Sequence, residues 1–101
     1  MEAKKTYLII TAIVNKQNIA EVPEYLRSVM QVFGQAGGKP IGRYKTIQSL
    51  VGEESPEMMA VLEFDSPNTI ENMLKGDGFT SLGDQRARVF TKLNMFISQS
   101  M

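Results

Sequence analysis

Two stretches of this chain are apolar at consecutive positions where a half-exposed strand would alternate: "TYLIITAIV" at 6–14 and "MMAVLEF" at 58–64. Both are rich in β-branched or long apolar side chains and read as strands. Successive strand side chains point to opposite faces. Tyr7, Ile9 and Ile13 therefore share one face, and Leu8, Ile10, Ala12 and Val14 the other. In the second stretch Met58, Ala60, Leu62 and Phe64 oppose Met59 and Val61. Strands of this kind need cover on both sides.

The chain has 101 residues, enough for one domain and not two, so residues 1–101 are expected to form a single unit. Between the strands lie two helical regions. Ile19, Val22, Leu26, Val29, Met30 and Phe33 recur at three- and four-residue steps, which predicts a helix over about 19–36. Asn18 and Glu21 have the spacing of a capping box, although Pro23 would fit better if the regular helix began near Val22. Gly37-Gly38 stops it. Lys39 to Val51 reads as a longer, more polar strand, and "GEESPE" as the loop of a hairpin returning through 58–64. Ser66 is suited to cap a helix whose first residue is Pro67 and whose inward residues are Ile70, Met73 and Leu74. "GDG" at 76–78 breaks it. A further helical piece carries Phe79, Leu82 and Val89, and 91–98 reads as the last strand.

Strand, helix, strand, strand, helix, strand is the α+β, ferredoxin-like βαββαβ order, with the first and third strands central in a four-stranded sheet and two helices on one face. The charged strands, second and fourth, suit its edges. Two helices cover only one face. Several hundred Å2 of apolar surface left wet on the other would forgo on the order of 10 kcal/mol, comparable to a whole domain's stability. A homodimer with sheets meeting face to face is the expected remedy.

Composition narrows the chemistry. There is no Cys and no His, and eleven basic residues balance eleven acidic ones. Disulfides, thiolate metal sites, a cysteine nucleophile and every His-based triad or metal motif are excluded. No cofactor and no metal are expected. No basic patch points to nucleic acid. Lys4-Lys5 before an apolar run imitates a secretory leader, but the run is short and lacks a small-residue cleavage site, so no membrane partner and a cytoplasmic location are expected.

The order of elements together with "GGKPIGRY", "VLEFDSPNTIENML" and "GFTSLGDQR" resembles the small proteins grouped as domain of unknown function 1330, within the dimeric α/β-barrel superfamily. The resemblance spans about residues 7–97. It rests on Gly37, Gly38 and Arg43 around the second strand, Glu63-Phe64 ending the third, and Phe79, Leu82 and Arg86 on the second helical region. It implies the fold and the dimer and brings no settled activity. Related barrel families include heme-degrading and quinol-oxidising monooxygenases. The heme-binding ones use a His that this chain lacks.

The candidate site residues are Glu63 and Arg43 as best choices for catalysis, and Arg43, Glu63, Phe79 and Arg86 for ligand binding. Glu63 stands between Leu62 and Phe64 on a central strand, where a buried carboxylate would need a partner. With an even hairpin register Arg43, Lys45 and Glu63 share a face. An odd one brings Tyr44 or Thr46 near Glu63 instead. A structural ion pair is the preferred reading of Glu63 over a catalytic acid. Arg86 and Arg88 read as complements to a helix dipole, with an anion clamp as the sharper alternative. Tyr7, Tyr25 and Tyr44 read as core tyrosines that could line a pocket, and the seven Met residues as adaptable filler. The preferred function is a homodimeric module binding a small organic ligand between sheet and helices or between subunits. The alternatives are a cofactor-independent monooxygenase or isomerase, with Glu63 as base and Arg43 stabilising an oxyanion, and a purely structural dimer.

Overall fold

The computed structural model describes residues 4–101. Its strands are β1 (Thr6–Val14), β2 (Lys39–Lys45), β3 (Met58–Phe64) and β4 (Phe90–Gln99). They form one antiparallel sheet in the order β2-β3-β1-β4. The two doubly apolar strands are central, and the ferredoxin-like order expected from the sequence is the one observed. No helix among the described residues is long and apolar enough to cross a membrane.

The helices all pack on the sheet face presented by even-numbered residues of β1 and β3. Leu8, Ala12, Leu62 and Phe64 are buried there against Tyr25, Val29 and Phe33 of α1 (Val22–Gln35), Ile70 and Met73 of α2 (Pro67–Lys75), and Val89. The expected second helical piece is two short ones, α3 (Asp77–Thr80) and α4 (Gly83–Val89). Ser66 caps α2 by accepting the Thr69 N–H at 3.3 Å, with Pro67 in the first turn. Residues 16–21 differ from expectation. They form a 3₁₀ helix, and Asn15 caps it by accepting the Gln17 N–H. Asn18 has non-helical backbone angles and donates its side-chain amide to the Arg88 carbonyl, so the Asn18–Glu21 capping box does not form. Pro23, which lacks an N–H, marks where regular helix can begin.

α1 ends as its glycines foretell. Gly37 adopts φ +87°, and the Gly38 N–H reaches back to the Phe33 carbonyl at 2.8 Å. The second strand stops short of Val51, at Lys45. The Thr46 N–H still reaches the Glu57 carbonyl at 3.1 Å, but the Glu57 N–H is given to the Ala12 carbonyl of β1 and Pro56 has none to donate, so the ladder goes no further. Ile47, Leu50 and Val51 are consequently 93%, 84% and 93% exposed on an extended loop.

The odd-numbered face carries no helix. Val61, Ile9 and Phe96 lie side by side across β3, β1 and β4. Met59 and Tyr44 extend this apolar row toward β2.

Candidate functional site

The register of the β2–β3 hairpin decides which charges meet. Lys39 pairs with Glu63 and Pro40 with Leu62, but Gly42 pairs with Val61 and Arg43 with Ala60. Ile41 is one residue too many, a β-bulge, and it reverses the facing of everything after it. Directly paired residues share a face. Arg43 and Lys45 therefore lie on the helix-covered face with Ala60 and Met58, while Glu63 lies on the bare face with Lys39 and Tyr7. The fold does not bring Glu63 and Arg43 together, so within one chain they do not form the base-and-oxyanion pair considered for catalysis. Glu63 is instead 3.4 Å from Lys5 Nζ at the end of the sheet, a solvent-facing pair of modest energetic value.

On the helix-covered face lies a cavity of about 530 Å3 between the sheet and α1. Its floor is Ile10, Ala12, Met58, Ala60, Leu93 and Met95. Its roof is Tyr25, Leu26, Val29, Met30 and Phe33. Exposed Lys16, Arg43 and Lys45 and partly buried Glu57 form its polar edge. Glu57 is fixed there, since its Oε1 accepts the Val14 N–H at 2.8 Å. Arg43 also borders a shallower depression with Leu26, Arg27 and Met30, so it stands where the two spaces adjoin. The volume is within the range of small-molecule sites, and apolar walls with a few polar groups are their usual lining.

Phe79 and Arg86 do meet each other. The Arg86 guanidinium lies 3.8 Å from the Phe79 ring centroid, and its Nη2 donates to the Phe79 carbonyl at 2.7 Å. Its Nε donates to the Tyr25 hydroxyl at 3.0 Å. Tyr25 is the link to the cavity, because its ring lines the wall and packs edge-on against Phe90. Arg86 and Phe79 are thus one layer behind the wall and hold it in place. Burial raises the Tyr25 phenol above its ordinary pKa, and the Arg86 hydrogen bond opposes that shift. Arg88 makes a different bond, to Glu21 at 3.0 Å, and this hydrogen bond holds the Glu21 carboxyl below its usual range.

Lys16, Glu57 and the methionines at 30, 58 and 95 had no functional reading in the sequence. One signal was available: Gly42 inside a predicted strand, which often marks a bulge.

Comparison with known proteins places this architecture. The family profile described as "Domain of unknown function (DUF1330)" matches residues 5–100. The chain belongs to the DUF1330 family. A search of curated proteins found no match. Among solved structures, the DUF1330 chain is similar to a protein of unknown function from Rhodopseudomonas palustris, with TM-score 0.81, 14% identity, and coverage of 99% of this chain and 85% of that one. It is also similar to a dabb family protein with a ferredoxin-like fold from Mesorhizobium loti, with TM-score 0.73, 8% identity, and coverage of 98% and 99%. A nipsnap family protein with unknown function from Agrobacterium tumefaciens gives TM-score 0.67 at 11% identity, with coverage of 99% and 91%. At such identities these likenesses speak to the fold alone.

Proposed function

We propose that this DUF1330 protein is a homodimeric binding module that takes a small organic molecule into the space between its sheet and α1. The observation that carries the reading is the cavity itself. A domain of this size needs its apolar side chains to fill its core. Here Leu26, Met30, Met58, Leu93 and Met95 are only partly buried around an open volume of about 530 Å3. Apolar walls around an open space of that size face water, and a ligand that covered them would gain the hydrophobic free energy of that burial. The dimer rests on the other face: the Val61–Ile9–Phe96 row and its neighbours form the kind of continuous apolar surface that monomers rarely leave in water.

The two faces give the test its control. Nile red, an uncharged fluorophore that brightens in apolar surroundings, is expected to bind with saturation at one per chain. Ala60→Phe fills the floor of the cavity and is expected to abolish that signal, while the fold, followed by circular dichroism, persists. Saturable binding untouched by Ala60→Phe, or none at all, would contradict the reading.

A further inference from the structure

We infer that the cavity selects an amphipathic organic anion, its carboxylate held at the edge by Arg43 and Lys45 with Lys16 nearby, and its apolar body lying on Met30, Met58 and Met95. This rests on the binding role proposed above for the same cavity and adds the ligand's charge.

The bulge at Ile41 is the first support. Continued without it, the pairing of Lys39 with Glu63 would leave Arg43 and Lys45 on the bare face. One extra residue turns both cations to the rim of the cavity, and bulges near sites often re-aim side chains in this way. The second support is that three cations without an ion-pair partner gather at one rim. Among the described residues only Lys5, Arg88 and Lys92 have a carboxylate within ion-pair distance, and of the other cations Lys16, Arg43 and Lys45 all border this cavity. The acid at the same edge, Glu57, already has one oxygen committed to the Val14 N–H. Three cations against one carboxylate leave the rim positive on a chain with no net charge. The third support is the wall behind them. Apolar side chains lower the local dielectric and strengthen the pull on an anion entering head-outward. Arg43 can grip a carboxylate with two parallel N–H donors. A neutral ligand would leave this charge unused, and a cationic one would be repelled by it.

Isothermal titration of the full chain with octanoate, octanol and octylamine at neutral pH separates the possibilities, since the three share a tail and differ in the head. Octanoate is expected to bind once per chain and at least about tenfold more tightly than octanol, with octylamine weakest. Its affinity is expected to fall as salt rises. The exposed double variant R43Q/K45Q is expected to erase the octanoate advantage, bringing octanoate to the affinity of octanol. Equal affinity for octanoate and octanol, or an advantage that survives in R43Q/K45Q, would overturn the anion assignment while leaving the cavity's binding role standing. Octanoate binding that survives Ala60→Phe would place the anion elsewhere and overturn the assignment too. Failure of octanoate, octanol and Nile red alike would remove the binding role and the anion assignment with it.

Discussion

Gly38 and Phe64 are in such close approach that a Cβ on Gly38 would stand 2.6 Å from the ring's Cζ and 2.9 Å from the Phe33 carbonyl oxygen. The second glycine of the pair after α1 and the aromatic that ends β3 are therefore parts of one contact. Phe64 also meets Phe33 edge-on, with ring centroids 6.4 Å apart. Two of the short motifs on which the resemblance rests are explained by packing at the end of the sheet, with no ligand involved. Gly38→Ala is expected to destabilise the fold by about 1–3 kcal/mol through overpacking. In Phe64→Leu, where the ring is gone, the same substitution should lose the part of its cost due to the ring and keep the part due to the Phe33 carbonyl. Denaturant unfolding of the four proteins in a double-mutant cycle measures the coupling.

Arg86 is expected to matter for stability more than its place on a short helix suggests. It stacks on Phe79, donates to that residue's carbonyl, and holds the Tyr25 hydroxyl. Arg86→Ala should cost about 2–3 kcal/mol, the sum expected for a partly desolvated cation–π contact and hydrogen bonds from a charged donor. Arg86→Lys should recover little, because an ammonium cannot supply the planar fork. Thermal melts of the three proteins decide the point, and equal stability of the Lys variant would contradict the stacked geometry.

The raised pKa of Tyr25 sets an alkaline limit. The unfolded phenol ionises near about pH 10. The folded one, 2% exposed, ionises later. Above about pH 10 the unfolded state has lost a proton that the native state retains, so stability falls as pH rises through that window and the contribution is fully present below it. Tyr25→Phe is expected to be less stable at neutral pH, because Arg86 loses its acceptor, and to show a shallower alkaline decline. Melting temperatures from neutral to alkaline pH give both readings in one series.

Some of this molecule is legible in its residues. The doubly apolar strands announce themselves as central, Ser66-Pro67 starts a helix, and Gly37-Gly38 ends one, because each rests on local chemistry. The register of the hairpin is not local. A single extra residue at Ile41 separates Arg43 from Glu63, and only the pairing with β3 reveals it. The end of β2 is hidden for a related reason. Ile47, Leu50 and Val51 have the propensity of a strand, but the hairpin's last bond is from the Thr46 N–H to the Glu57 carbonyl, and Pro56, with no N–H, cannot carry the ladder on. Glu57 itself looks like one more loop acid until its bond to the Val14 N–H is seen.

The bare face of the sheet predicts assembly. Sedimentation velocity at micromolar concentration is expected to give the mass of a dimer. Ile9→Glu, which puts a charge at the centre of the Val61–Ile9–Phe96 row, is expected to give a folded monomer or a destabilised one. A compact wild-type monomer would contradict the face-to-face assembly and leave the cavity on the opposite face unaffected.

The central claim is that a ligand enters between the sheet and α1, and the methionines report on it directly. Met30, Met58 and Met95 line the cavity, whereas Met73 is buried beneath α2, away from it. In a protein labelled with 13C at its methionine methyls, titration with octanoate is predicted to shift the signals of 30, 58 and 95 together, saturating at one equivalent, while that of 73 holds still. Saturable octanoate binding that leaves those three methyls unmoved would contradict the account.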